Sequence, residues 1–356
     1  MIIGIDASRA FLSRRTGIEE YSYQVIKHLR AALPQEARVI LYMRPGQGVD
    51  FTLPKNWKIK RLWAPRLWTQ GRLSLEMLLH MPDTLFVPAH VVPLIHPKKT
   101  IVTIHGLEYE ICPESYSFSD RWYMRLSILF SCRFAEKIIA VSENTQRDLL
   151  RLYHVPAEKV TVIYEGFNEE GNGRGKTGES QNKPFFLFVG RLEERKNIAR
   201  VIEAFDVFKE KTGSSHQLIL AGKPGYGYKK IKEQRTKSKY SEDILEPGYV
   251  SEEKKWELLK NAEAFLFPTL YEGFGIPVLE AQSVGTPVIT SNTSSLPEVA
   301  GDGAILVDPL QPEAIALAME SLVANQEKRA DIIVKGRSNT ARFSWQTTAE
   351  RIRGLL

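Results

Sequence analysis

The chain has 356 residues, which is too long for one compact core and suits two domains of about 170 residues each. Hydrophobic residues make up 43% and charged residues 25% of the chain, the composition of an ordinary globular protein. The net charge of +6 suits anionic partners such as phosphate esters, whereas a nucleic-acid binder would show a stronger basic stripe or a known reading motif. We therefore expect no nucleic-acid partner.

Targeting and redox signals point to the cytoplasm. No apolar run approaches the ~18 residues needed to span a bilayer, and the start of the chain is typical of a strand rather than of a signal peptide. The two cysteines, Cys112 and Cys132, form neither a disulfide framework nor a metal cluster.

Short apolar runs alternate with helical segments along the whole chain. Strands are predicted at 2–5, 39–42, 85–87, 100–104, 138–141 and 160–163, and helices at 19–32, 121–134 and 145–153. Ser142 is expected to cap the last of these helices. Alternating strands and helices indicate βαβ units and a parallel sheet covered on both faces.

The composition changes at 169–182, where the sequence EEGNGRGKTGESQN holds no apolar residue and four glycines. This segment is predicted to link the domains, although a loop inside one domain would have the same composition. A second βα series follows, with strands predicted at 185–189, 218–220, 265–267 and 288–290 and a helix edge with a mobile loop at 225–242. The helix after the first of these strands places Ile198, Val201, Ile202, Phe205 and Phe208 at core spacing.

Two motifs in the second half carry chemistry. The first, GRLEERKN from Gly190 to Asn197, follows an apolar strand and opens a helix, so its amides and helix dipole suit a diphosphate. Arg191 and Lys196 add positive charge there, while Arg195 and Arg200 are interpreted as solvated residues of a helix start. The second, EGFGIPVLEA, begins at Glu272 after another apolar strand.

At this point the sequence resembles the family 4 retaining glycosyltransferases of the GT-B fold. Glu272 and Glu280 match the E-x7-E motif of that family, and GRLEERKN matches its diphosphate-binding stretch. The resemblance continues through GTPV at 285–288, LPEVAGDGA at 296–304, TIH at 103–105, AVSEN at 140–144 and FSW at 343–345.

The resemblance implies an α/β fold with two Rossmann-like domains facing each other across a cleft. The N-terminal domain, on the acceptor side, spans 1–168, the linker 169–182 and the donor-side C-terminal domain 183–338. A C-terminal helix within 339–356 is expected to pack back on the N-terminal domain.

The resemblance also implies roles for single residues. Arg191 and Lys196 neutralise the leaving diphosphate, Glu280 binds the ribose hydroxyls, and Glu272 lies at the donor sugar. Further donor contacts are implied for Gly17, Gly190, Gly273, Phe274 and Gly275, and His105 is implied to contact the donor sugar. The alternative for His105 is a core histidine that ends a buried strand. Many relatives have a His-Asp pair where this chain has His105-Gly106.

The expected reaction transfers a hexose from a nucleotide sugar to a hydroxyl acceptor with its anomeric configuration retained. No Asp-x-Asp motif occurs, so neither a metal nor a cofactor is expected beyond the nucleotide-sugar co-substrate. Resemblance to bacterial surface-polysaccharide enzymes favours GDP-mannose as donor and a glycan or lipid-linked acceptor. The alternatives are a nucleotide-sugar epimerase, a glycogen-type synthase, or a binding module that has lost catalysis.

The segment 55–72 suggests peripheral contact with the inner face of the membrane. Its sequence, KNWKIKRLWAPRLWTQGR, holds six basic residues, no acidic residue and three tryptophans. Tryptophan and cations together suit a lipid interface. The alternative is one more strand with its tryptophan in the core.

Overall fold

The computed structural model describes residues 1–64, 67–168 and 183–356. These residues form two compact units. Unit 1 comprises Met1–Leu107, Phe118–Gly166 and Phe343–Leu356, and unit 2 comprises Glu108–Ser117 and the described part of Phe167–Arg342. The predicted linker at 169–182 lies outside the described residues.

Strands and helices alternate in both units. In chain order the strands are β1 (Ile2–Asp6), β2 (Arg38–Met43), β3 (Trp57–Arg61), β4 (Thr84–Val87), β5 (Lys99–Ile104), β6 (Lys137–Ala140), β7 (Val160–Val162), β8 (Phe185–Val189), β9 (Gln217–Ala221), β10 (Ile244–Gly248), β11 (Ala264–Phe267), β12 (Val288–Ser291) and β13 (Ile305–Val307). The helices are α1 (Gly17–Ala32), α2 (Ser74–Leu79), α3 (Glu108–Ile111), α4 (Phe118–Phe134), α5 (Glu143–Tyr153), α6 (Ile198–Thr212), α7 (Tyr228–Lys237), α8 (Glu252–Asn261), α9 (Ile276–Val284), α10 (Leu296–Ala300), α11 (Pro312–Ala324), α12 (Gln326–Thr340) and α13 (Trp345–Arg353).

Unit 1 is built on a parallel sheet. Among its described residues the strand order is β3-β2-β1-β4-β5-β6-β7, and every neighbouring pair is parallel. The predicted cap of α5 is confirmed, since Ser142 Oγ accepts a hydrogen bond from Thr145 N at 3.0 Å. The helix α13 lies in this unit, where Trp345 packs edge-on against Tyr21.

Unit 2 contains a second parallel sheet, with the order β10-β9-β8-β11-β12-β13 in the part of the chain that the structure describes. Chain order reverses at β8, because β9 lies on one side of it and β11 on the other. The core prediction for α6 is confirmed, as all five of its named apolar residues are buried. The stretch 225–242, predicted as a helix edge with a loop, contains α7, which buries Ile231.

The predicted strands do not include β3, β10 and β13, and all three are edge strands of their sheets. Their sequences are WKIKR, ILEPG and ILV. Edge strands bury less surface and tolerate charge and proline, so they lack the continuous apolar runs of central parallel strands.

The segment 55–72 contains β3 and a π-helical turn, Trp68–Leu73, that leads into α2. Trp57 and Trp68 are buried, and Trp68 Nε1 donates to Leu62 O at 3.1 Å. Only Trp63 of the three is in water, with 72% of its surface exposed. A strand with buried tryptophan is therefore what this segment forms, and the prediction that its three tryptophans form a lipid contact is wrong for two of them.

Candidate active site

The charged motifs of unit 2 lie beyond the carboxyl ends of β8 and β11. These two strands are neighbours at the point where the strand order reverses. In open parallel sheets such a switch point leaves a crevice between loops that diverge to opposite faces, and ligands bind there. Both sequence motifs fall at this point, because GRLEERKN follows β8 and the turn with Glu272 follows β11.

The turn after β8 passes unusually close to the backbone that follows β9. Gly190 has a φ of +151°, which favours glycine, and a Cβ at Gly222 would lie 1.7 Å from the carbonyl oxygen of Gly190. Arg191 is exposed, and its aliphatic stem covers Gly225. The turn therefore presents backbone at its tightest point and a guanidinium on its outer side.

Asn197 fixes where this turn ends and α6 begins. It has a left-handed backbone, with a φ of +61°, and is buried. Its Nδ2 donates to the carbonyl oxygens of Pro268 at 3.0 Å and Pro309 at 2.6 Å. One side chain thus connects the loops that follow β8, β11 and β13, which holds the preceding cations at a fixed position.

Two cations of the turn lie against Glu272 and form a largely buried ion cluster of Glu193, Arg195, Lys196 and Glu272. Lys196 Nζ is 2.6 Å and Arg195 Nη1 3.3 Å from Glu272 Oε1. Arg195 also donates to Tyr271 O and Glu193 Oε1, both at 2.8 Å. The interpretation of Arg195 as a solvated residue is wrong, since its side chain is only 14% exposed.

Burial and charge act in opposite directions on the pKa values of this cluster. Burial alone would raise the pKa of Glu272, but the charges of Lys196 and Arg195 outweigh it and hold that pKa below its usual value. For Lys196 burial prevails over the attraction of Glu272 and lowers the pKa of the ammonium. Glu272 is therefore ionised at neutral pH, and Lys196 is a poorly hydrated cation that gains from a further negative charge.

The turn that carries Glu272 is held from α10 and the loop before it. Ser295 Oγ donates to the carbonyl oxygens of Glu272 at 2.9 Å and Phe274 at 2.6 Å, and Ser294 Oγ accepts from Glu272 N at 3.2 Å. Gly275 has a φ of +117° and approaches Leu296 so closely that a Cβ would lie 2.8 Å from Leu296 Cδ2. Helix α9 starts directly after it, at Ile276.

Glu280 lies on α9 and pairs with a lysine of α8. Lys255 Nζ is 2.8 Å from Glu280 Oε1 and also 2.8 Å from Glu252 Oε2. Burial would lower the pKa of Lys255, but the nearby Glu280 carboxylate outweighs burial and raises it. The second carboxylate of E-x7-E is therefore held in place by a residue that no motif indicated.

A third carboxylate near the cluster comes from far away in the sequence. Glu108 lies in the segment Glu108–Ser117, which belongs to unit 2 although the chain on either side of it belongs to unit 1. Burial raises the pKa of Glu108, and the charge of Arg195 opposes this rise. No motif in the sequence indicated Glu108, because only the fold brings it within electrostatic reach of Arg195.

The two remaining predicted site residues, His105 and Gly17, lie in unit 1. His105 follows β5 and is buried, with Nδ1 3.0 Å from Glu165 Oε1 and Nε2 2.8 Å from Pro88 O. Its ring packs edge-on against Tyr21 at 4.5 Å between centroids. Both ring nitrogens thus face acceptors of unit 1, an arrangement that a core histidine would also have.

Gly17 is the first residue of α1. The helix begins with a capping box, in which Glu19 accepts from the backbone N of Thr16 at 3.0 Å. A Cβ at Gly17 would meet no atom within 4 Å, so packing does not demand glycine here.

The described residues hold neither a metal cluster nor a membrane-spanning helix. Across residues 1–64, 67–168 and 183–356, no group of three or more His, Cys, Asp or Glu side chains is placed to hold a metal ion. In the same described ranges no helix has the length and apolar character of a membrane span.

Two family models together match most of the chain. Residues 15–170 match the model described as Glycosyltransferase Family 4, and residues 170–339 match the model described as Glycosyl transferases group 1. The boundary between the two matches falls at residue 170, within the segment 169–182.

Relatives of similar length include two enzymes of bacterial O-antigen synthesis. O-antigen chain mannosyltransferase B of Escherichia coli is 28% identical over 93% of this chain and 93% of its own length. An O-antigen chain mannosyltransferase of Salmonella typhimurium is 26% identical over 95% of this chain and 94% of its own length.

Solved structures extend the likeness to the fold. Sucrose-phosphate synthase from Thermosynechococcus elongatus has a TM-score of 0.77 at 18% identity, covering 99% of this chain and 98% of that one. An Anabaena protein in complex with UDP-glucose has a TM-score of 0.71 at 17% identity, covering 99% and 97%.

Proposed function

The chain belongs to the family 4 glycosyltransferases and has the GT-B fold, and from that premise we propose that it transfers a hexose from a nucleoside-diphosphate sugar to a hydroxyl acceptor with retention of anomeric configuration. The acceptor is a glycan or lipid-linked glycan of surface-polysaccharide or glycolipid synthesis. The reaction takes place in the cytoplasm, at the inner face of the membrane.

The observation that carries this proposal is the pair of largely buried cations, Arg195 and Lys196, at the switch point of unit 2. Lys196 and Arg195 lie at the start of α6, where backbone amides and the positive end of the helix dipole favour an anion. A diphosphate placed there would meet Lys196, whose charge burial disfavours, and Arg191 on the outer side of the turn. The bond to the leaving group would thus break beside positive charge already in position.

In the proposed mechanism the chain contributes position and charge rather than a covalent intermediate. The acceptor oxygen attacks the anomeric carbon on the face from which the diphosphate leaves, and a leaving phosphate oxygen takes the acceptor proton. Glu272 is ionised and accepts hydrogen bonds from hydroxyls of the donor sugar. Glu280, oriented by Lys255, accepts from the ribose hydroxyls.

Mannose is the sugar we propose, with GDP-mannose as donor. The support is that the Escherichia coli and Salmonella relatives are both O-antigen mannosyltransferases. UDP-glucose is the competing donor, because a protein of the same fold was solved with it.

The test begins with thermal stabilisation by a panel of GDP-, UDP- and ADP-sugars, because a specific ligand raises the melting temperature by mass action. The stabilising donor is then incubated with and without glycan acceptors, and the product anomer is assigned by NMR. Retained configuration in a new glycosidic bond is expected. Epimerisation without acceptor, chain growth on a glucan primer, or binding with no turnover would each replace the proposal by one of its alternatives.

Transfer is expected to survive excess EDTA. The chain holds no Asp-x-Asp motif to bridge a metal to the diphosphate, and Lys196, Arg195 and Arg191 are placed to supply positive charge instead. The measurement compares initial rates in EDTA with rates in added Mg²⁺ or Mn²⁺. Loss of activity in EDTA that either ion restores would contradict this part of the proposal.

A further inference from the structure

Helix α4 of unit 1 leaves most of its large apolar side chains exposed, among them Leu126 and Leu129. Its buried face, formed by Ser127, Ile128, Ser131 and Cys132, is half polar, and Ser131 Oγ donates to Ser127 O at 2.9 Å while accepting from Val92 N at 3.0 Å. A helix of a globular protein normally turns its large apolar side chains toward the core, so the outer face of α4 needs another explanation.

The exposed apolar residues of α4 form one face. Phe118, Trp122, Leu126 and Leu129 recur at spacings of four, four and three, which places them within one side of a helix. Arg125 is on the same side, with its guanidinium 5.9 Å from the ring centroid of Trp122.

Two neighbouring elements continue this face. The loop 91–97 is bonded to α4 through Val92 and to α2 through Leu94 N, which donates to Ser74 Oγ at 2.9 Å. The ring of His96 lies against Phe134, 6.5 Å between centroids. We call the surface of α2, the loop 91–97 and α4 the apolar face. Its exposed large apolar residues are Leu75, Leu78, Leu79, Leu94, Ile95, Phe118, Trp122, Tyr123, Leu126, Leu129 and Phe134.

The chain around the apolar face is strongly basic. The segments 55–81, 91–99 and 118–134 contain eleven Lys and Arg but only two acidic residues, a net charge of +9 against +6 for the whole chain. One of the two, Glu76, is buried and paired with Lys60 and Arg72. The remainder of the chain therefore carries a net charge of −3, so the excess positive charge lies in the three segments that contain or flank the apolar face.

We propose that the apolar face docks on an anionic lipid bilayer, with α4 lying in the interface. Leucine, phenylalanine and tryptophan side chains would enter the acyl boundary while arginine meets acidic headgroups. A second copy of the chain fits less well, because a twofold contact would bring the same arginines together. The inference rests on the proposed function for its location at the membrane and deepens it, because it names the surface that makes the contact.

The test is co-sedimentation of the full chain with vesicles of phosphatidylcholine, alone or with 30 mol% phosphatidylglycerol, at low and high salt. We expect binding to the anionic vesicles, weakened by salt. Leu126→Gln with Leu129→Gln should weaken it by about tenfold or more, because both side chains lose the apolar area that enters the bilayer.

The matched control is Leu317→Gln with Val334→Gln in unit 2. Leu317 on α11 is 60% exposed and Leu126 on α4 is 57% exposed, and Val334 on α12 is exposed as well, so both pairs remove exposed aliphatic side chains from helices. The control should bind vesicles like the parent, and both double variants should melt at the parent temperature. Arg125→Gln with Arg133→Gln should reduce the salt-sensitive part of binding.

Several results would overturn the inference. They are no binding to anionic vesicles at low salt, equal losses in the α4 and control variants, and a dimer that the α4 variant dissociates while vesicles bind nothing. Activity is measured separately with a water-soluble acceptor. Vesicle binding without transfer would refute the proposed function and leave the docking surface standing.

Discussion

Replacement of Lys196 by alanine is expected to lower kcat/KM for transfer by about 100- to 1000-fold, or roughly 3–4 kcal/mol of transition-state stabilisation. Only 13% of the Lys196 side chain is exposed and its Nζ is 2.6 Å from Glu272 Oε1, so water would not replace its charge effectively. Negative charge develops on the diphosphate as the sugar leaves, and the variant would lack the cation nearest to Glu272. Initial rates over a range of donor concentrations measure the effect.

The matched control for this substitution is Lys229→Ala, which removes an ammonium 90% exposed on α7 of the same unit. It should leave kcat/KM within about twofold of the parent, because exposed charges contribute little. Lys196→Arg should recover part of the lost activity, since it keeps the charge. If Lys196→Ala transfers sugar within a few-fold of the parent while both proteins melt alike, Lys196 does not face the diphosphate.

The two carboxylates of E-x7-E are expected to separate in steady-state kinetics. Glu280→Ala should raise the donor KM by roughly 10- to 100-fold, the effect of losing hydrogen bonds to a charged group remote from the reacting carbon. Glu272→Gln should lower kcat by a similar factor with a smaller change in KM, because its contacts are proposed at the reacting sugar. Both parameters are measured with saturating acceptor.

A control on α8 distinguishes ribose binding from disturbed structure around Glu280. Glu252→Ala removes the other partner of Lys255 but leaves the Lys255–Glu280 pair, so the donor KM should stay near the parent value. If Glu280→Ala mainly lowers kcat and Glu272→Gln mainly raises the donor KM, the two carboxylates have exchanged roles.

The central strands were predictable from sequence because parallel strands are buried on both faces and appear as apolar runs. Phe185–Val189 and Ala264–Phe267 are of this kind, and the switch point between them follows from their being neighbours. The turn after β8 was predictable in position but not in detail. In the sequence motif Arg191, Arg195 and Lys196 are three similar cations. Only the folded turn, which ends at the left-handed Asn197, shows that Arg195 and Lys196 lie inward and Arg191 outward.

Partners that lie far apart along the chain gave no local signal. Lys255 precedes Glu280 by 25 residues, and Glu165 follows His105 by 60. A lone lysine on a polar helix and a lone glutamate after a short strand are ordinary surface residues by any pattern. Their roles follow from burial beside a charge, which depends on the packing of two whole elements.

The chain passes between the two units at four points, after Leu107, Ser117, Gly166 and Arg342. Unit 2 therefore cannot be cut out or exchanged as one uninterrupted stretch. A chimaera that received Phe167–Arg342 from a relative would keep its own Glu108 and Tyr116 beside a foreign Arg195. Exchange of unit 2 between relatives thus requires the ten residues Glu108–Ser117 to be transplanted as well, although the chain on both sides of them belongs to unit 1.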